Sequence, residues 1–267
     1  METLVSTPSA VPDVVGRLRA AGCVFAEDEA RLLHDAARTP AELDALVDRR
    51  AAGEPLEHLL GWVEFAGLRL AVEAGVFVPR RRTELLAREA AALAAPGSAV
   101  VELCCGVCAV GAAVAAAVPG IDLHAADIDP VAVRCARRNV PRAHVYEGDL
   151  DAPLPVSLRG RVDVLVANAP YVPTEAVGMM PPEARLHEPL VALDGGADGL
   201  DVQRRVIAAA PLWLAGGGHL LIETSGAQSP HTAAVMEAAG LHAQVVRDEE
   251  RDATAVIATR PPRTSEP

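Results

Sequence analysis

Aromatic side chains are scarce in this chain: two Trp, two Tyr and three Phe among 267 residues. A ring set beside a motif is therefore informative. Net positive charge is lacking too. A formal charge of −12 argues against a broad electrostatic grip on nucleic acid, although Arg80, Arg81 and Arg82 make a local basic cluster. Long apolar runs are missing. "VGAAVAAAVPG" is too short and too small-residued to span a bilayer. The opening "METLVSTPSAVPD" has neither the charged start nor the apolar stretch of a signal peptide. Five cysteines, an odd number with no secretion signal, suggest a reducing interior. These absences lead to the expectation of a cytoplasmic protein with no membrane partner.

Hydrophobic residues make up 51% of the chain, many of them Ala, which favours helices. Up to about Gly53 the pattern is short helices. "AVPDVVGRLRAAG" and "EDEARLLHDAA" space apolar residues three and four apart, and "TPAELDALVDRRAAG" starts with Thr39 as N-cap and Pro40 in the first turn. Alternation in "GWVEFAGLRLAVEAGVFVP" predicts a hairpin around Gly67, and "RTELLAREAAALAA" a further helix. From Ser98 the style changes to strand, turn and helix, repeated. Such alternation predicts a doubly wound, mostly parallel α/β sheet with helices on both faces.

Ligands of an open α/β sheet bind outside the carboxyl ends of its strands. The first strand runs into "ELCCGVCAVG", a turn whose free amides can meet a ligand. The second ends at Asp127, where an acid can accept from a ribose diol. After the third comes Gly148-Asp149, placed to accept from an adenine amino group. The fourth, "VDVLVAN", stops at Asn168, followed by Ala169, Pro170 and Tyr171. An amide at the end of a buried strand needs partners.

These blocks resemble the S-adenosylmethionine-dependent methyltransferases, and closely the HemK-type protein-glutamine N(5)-methyltransferases. The likeness takes in "GEPLEHLLGWVEFAGLRLAVEAGVFVPR", "EPLVALDGGADGL" and "IETSGAQ". The family signature Asn-Pro-Pro-Tyr stands here as Asn168-Ala169-Pro170-Tyr171. The same signature occurs in methyltransferases acting on adenine amines, so alone it implies a planar nitrogen. The resemblance implies S-adenosylmethionine as cofactor, held by Glu102, Cys104, Gly106, Asp127, Ile128, Asp149, Leu150 and Asn168, with no metal. Catalysis is implied at Asn168, Pro170 and Tyr171, and substrate contact at residues 168 to 171. The Asn168 oxygen and the carbonyl of Ala169 would orient an amide nitrogen, with the ring of Tyr171 over its plane. The implied acceptor is a glutamine of a peptide chain release factor, in its Gly-Gly-Gln loop. The chain then divides into a helical substrate-recognition domain (1–60), a hairpin with linking helix (61–95), the methyltransferase domain (96–260) and a disordered tail (261–267).

The pattern departs from the family at several positions. Ala169 replaces the first Pro, Cys104 and Cys108 stand where Gly is expected, and Arg81 and Arg82 replace Pro and Glu. Sulfur at position 108 is expected to press on the cofactor's methionine portion. Three other readings remain open: a small-molecule nitrogen as acceptor, a binding protein without turnover, and a redox site at Cys105-Gly106-Val107-Cys108. Small buried thiols are the plainer account of that CxxC. The histidines, His58 and His187 among them, show no ligand spacing and read as satisfied surface residues. The Arg run reads as a solvated face.

Overall fold

The protein is described here by a computed structural model covering residues 11–262; the expected tail lies, from 263 on, outside the described residues. Helices α1 (Val11–Ala20), α2 (Ala26–Ala36) and α3 (Pro40–Ala51) pack through Val14, Leu18, Leu33, Leu43 and Val47 into a core of their own. Thr39 caps α3, its hydroxyl accepting from the Glu42 N–H at 3.2 Å. The short α4 (Leu56–Leu60) leads into an antiparallel hairpin of β1 (Trp62–Phe65) and β2 (Leu68–Ala71). Its turn, Ala66-Gly67, has positive φ at both residues, as a two-residue hairpin turn requires.

After α5 (Glu84–Leu93) the chain winds the main sheet: β3 (Ala99–Leu103), α6 (Ala109–Ala117), β4 (Asp122–Asp127), α7 (Pro130–Asn139) and β5 (His144–Glu147). Then follow β6 (Val162–Ala167), the short α8 (Pro182–His187), α9 (Asp201–Trp213), β7 (Leu214–Glu223), α10 (Ser229–Ala238), β8 (His242–Asp248) and β9 (Ala253–Thr259). The strand order is β5-β4-β3-β6-β7-β9-β8, parallel from β5 to β7, with β9 antiparallel to both its neighbours. The alternation of side chains along a strand divides the core in two. Val100, Val164 and Val166 face α5, α6 and α7, while Val101, Leu103 and Leu165 face α9 and α10.

The winding reverses between β3 and β6, because β4 and β5 lie on one side of β3 and β6 on the other. That reversal opens a crevice at the carboxyl ends of the strands. Among the described residues no helix is long and apolar enough to cross a membrane.

Candidate active site

The cleft at the β3/β6 reversal encloses about 250 Å³. Every residue singled out for the cofactor and the substrate lines it: Glu102, Cys104 and Gly106 around the end of β3, Asp127 and Ile128 at the end of β4, Asp149 and Leu150 after β5, and Asn168 to Tyr171 after β6. The convergence follows from the parallel winding, which brings the four strand ends to one edge.

Asp127 is held in place by the backbone. Its Oδ2 accepts from the Gly106 N–H at 2.7 Å and its Oδ1 from the Asp129 N–H at 2.9 Å. Each oxygen keeps a second lone pair for a hydroxyl. Burial raises the Asp127 pKa, and the backbone N–H donors oppose that shift. Asp129 is the N-cap of α7, its carboxylate accepting from the Val131 N–H at 2.8 Å. Asp149 is exposed, and Arg205 donates to its Oδ2 at 2.7 Å. Ile128 is 51% exposed although apolar, which suits a wall for a flat base.

The loop after β3 explains where the missing glycines went. Cys104 and Cys108 both take positive φ, 52° and 60°, at a cost of about 1–2 kcal/mol for a residue with a Cβ. Cys108 does not press into the cleft. It is fully buried, and its thiol donates to Glu102 Oε2 at 3.1 Å. The same oxygen accepts from the Gly111 N–H at 2.6 Å. Burial pushes the Glu102 carboxyl up to about 7, against these two donors. All five cysteines are free thiols, and burial pushes those of Cys105 and Cys108 well up. A redox nucleophile needs the opposite shift, so the small-thiol reading describes this loop.

Asn168 sits half-buried at the end of β6, and its Nδ2 donates to the Thr83 hydroxyl at 3.3 Å. With the NH2 group so engaged, the Oδ1 acceptor is the part left for a ligand. Two loops grip the next residues. Val172 N donates to Leu193 O at 3.1 Å and Gly195 N to Val172 O at 2.8 Å, while Gln228 Nε2 reaches Tyr171 O at 2.9 Å. A Cβ on Gly195 would lie 2.7 Å from Pro170 O, and one on Gly199 2.3 Å from Tyr171 O. Gly195 and Gly199 of "DGGADGL" permit this close approach.

Sequence reasoning missed a second set of groups. Two of the three arginines in the run are tied to buried carboxylates, Arg82 while still exposed. Arg80 donates to buried Glu188 at 2.6 Å, and Arg82 to buried Glu223 at 3.4 Å. Glu223 Oε1 also lies 3.4 Å from the Tyr171 hydroxyl, which donates to it. The Arg82 guanidinium stands 5.9 Å from the Tyr171 ring centre. Burial, then the Glu223 charge, push the Tyr171 hydroxyl up to about 12. These pairs join residues from 52 to 141 positions apart, so no local spacing announces them. The histidine reading needs correction as well. His58 is buried, with Nε2 2.8 Å from Val76 O, and His124 is buried in the sheet.

The cleft's donor set fits S-adenosylmethionine. The Asp127 carboxylate would suit a ribose diol, apolar Ile128 and Leu150 would suit the faces of a base, and backbone amides and Glu102 lie at the β3 turn. The mostly parallel seven-strand sheet with this cleft is the fold of the class I S-adenosylmethionine-dependent methyltransferases. The family model described as "Methyltransferase small domain" matches residues 68–181. The chain is 38% identical to a release factor glutamine methyltransferase of Mycolicibacterium smegmatis, over 86% of this chain and 83% of that one. It is 39% identical to one from Geobacter sulfurreducens over 69% of this chain, and that match spans 66% of the relative's length, just under two thirds. A methyltransferase structure from Pyrococcus furiosus shares the fold at a TM-score of 0.53 and 15% identity, covering 73% of this chain and 90% of that one. The chain belongs to the release factor glutamine methyltransferase family.

Proposed function

We propose that this protein transfers a methyl group from S-adenosylmethionine to the side-chain amide nitrogen of a glutamine in a peptide chain release factor. The observation that carries this is the orientation of Asn168, whose NH2 group is tied to Thr83 and whose Oδ1 is left as an acceptor beside the cofactor loop. The names of the relatives supply the acceptor.

An amide nitrogen is a poor nucleophile because its lone pair is delocalised into the carbonyl. S-adenosylmethionine, when bound, supplies the electrophilic methyl on a sulfonium centre. The chain's own part is to hold the nitrogen. Asn168 Oδ1 and the Ala169 carbonyl accept from its two hydrogens, which points the lone pair, perpendicular to the amide plane, at the methyl and favours the charge that develops there. Tyr171, held by Glu223 and flanked by Arg82, forms a side of the pocket. Asp127 takes the ribose, Asp149 the adenine amino group, and the helices before residue 60 recognise the protein.

The test is incubation of the enzyme with a purified release factor and a methyl-labelled cofactor. Label should appear on the glutamine of the Gly-Gly-Gln loop and vanish when that glutamine is replaced by alanine. Labelling that survives the replacement, or no transfer to release factor while a small planar amine is methylated, would overturn the proposal.

A further inference from the structure

At the opposite edge of the sheet, away from the cofactor cleft, three residues converge that are dispersed in sequence. Asp122 and His124 lie two apart on β4, so their side chains share one face. His144 on β5 pairs in register with His124, which brings it to the same face. One ligand atom from each of the three lies within 4.8 Å of the other two. His124 Nε2 stands 3.3 Å from Asp122 Oδ1, and His144 Nε2 stands 3.9 Å from the same oxygen.

We propose that Asp122, His124 and His144 form a binding site for a zinc-class divalent cation. The independent support is His124 itself. Its side chain is 6% exposed, and its Nε2 is buried with no hydrogen-bond partner, because the contact with Asp122 is not aligned as a hydrogen bond. An unpartnered buried polar atom is costly, so it points to something it binds. The other ring nitrogen explains the tautomer. Nδ1 lies 3.0 Å from the Tyr146 hydroxyl, and in the tautomer that donates its proton there the Nε2 lone pair faces Asp122. Such an outer partner is the usual device for orienting a metal-binding imidazole.

The distances suit the ion. Tetrahedral zinc bonds to nitrogen and oxygen at about 2.0–2.2 Å, which separates neighbouring ligand atoms by about 3.3 Å. The His124–Asp122 pair already has that spacing. His144, with 62% of its side chain exposed and its ring stacked on His124 at 4.8 Å, has room to swing its Nε2 inward. Two imidazoles and one carboxylate leave a fourth position for water. The site ties β4 to the edge strand β5 and lies at the strand starts, away from the cofactor cleft.

Titration of chelator-stripped protein with zinc chloride alone, followed by calorimetry, tests this. We expect one ion per chain, a chelator-reversible rise in melting temperature, and a loss of affinity greater than about a hundredfold in His144→Gln. That side chain is exposed, so its variant should fold even if a His124 variant does not. Tyr146→Phe should weaken binding by about 10–100-fold by removing the partner of Nδ1. Cobalt in place of zinc should give a spectrum without a thiolate charge-transfer band. No saturable binding, unchanged affinity in His144→Gln, or a thiolate band that places the ion on the cysteines would overturn the assignment. None of these readings depends on methyl transfer.

Discussion

Asn168 and Glu102 are both polar residues at the ends of buried strands, yet their surroundings ask opposite things of them. Asn168 is neutral and presents an acceptor. Replacing it by Ala should cut turnover about a hundredfold, the usual effect of removing one preorganised partner, with cofactor affinity unchanged. Single-turnover rates and a cofactor Kd from calorimetry separate the two. Equal loss in both would mean that Asn168 holds the cofactor rather than the acceptor. Glu102 is ionisable and fully enclosed, its carboxyl raised to about 7 from 4.5. Between those pH values the native chain keeps a proton that the unfolded chain has released, so stability falls as pH rises through the window. A shift of this size corresponds to about 3 kcal/mol. Glu102→Gln keeps an acceptor for the Gly111 N–H but cannot ionise. Urea unfolding should therefore show the variant gaining on the wild type between pH 5 and pH 8. The same difference at both pH values would refute the burial argument.

The turn from β3 into α6 shows how an element tolerates an unusual sequence. A Cβ added at Gly111 would stand 2.8 Å from Cys108 Sγ and 2.7 Å from Glu102 Oε2. Cys108 thus fills the space that a side chain at 111 would need, and the two positions are matched to one another. Gly111→Ala should gain about 1 kcal/mol of helix propensity and lose more to overpacking, which typically costs about 1–3 kcal/mol. Cys108→Gly relieves a positive φ but leaves a void. The double variant should be more stable than the sum of the singles predicts, by an amount that denaturant titration of the four proteins can resolve. Strict additivity would show that the side chains do not compete. Most elements were legible from periodicity and caps, as with Thr39. The strand β8 was not, because it sits at the sheet edge with His242, Gln244 and Val245 exposed, and so lacks the buried alternation that marks a strand. The turns and short helix over 174–192 escaped for a related reason. Pro173, Pro181, Pro182 and Pro189 break that stretch into pieces too short to carry a period.

At the scale of the whole molecule, the cofactor cleft and the first three helices draw on separate cores. The two clusters around the sheet contain no residue before Val63, whereas Val14 to Val47 pack among themselves. The tie between these helices and the rest of the chain was not legible in the sequence. Arg50 on α3 pairs with buried Glu29 at 2.6 Å and reaches Glu183 on α8 at 3.3 Å, across 133 positions of sequence. The helices thereby lean on the segment that carries exposed Leu186, Leu190 and Met179 beside the cleft. A pocket shaped for an amide group cannot by itself choose one protein, so discrimination needs surface beyond it. Removing residues 1–53 tests where that surface lies. Helix α4 should be kept, because His58 anchors Val76 at the cleft wall. Leu56, Leu59 and Leu60, which pack on the first three helices, should be changed to Gln so that they do not drive aggregation. The shortened protein should bind S-adenosylmethionine within a few-fold of the full chain. Its kcat/KM for intact release factor should drop at least tenfold, about 1.4 kcal/mol of lost recognition, while a short Gly-Gly-Gln peptide is methylated as before. Undiminished activity on the intact protein would move the recognition surface to the 174–192 segment, and a parallel loss on the peptide would place the helices in the catalytic pocket instead.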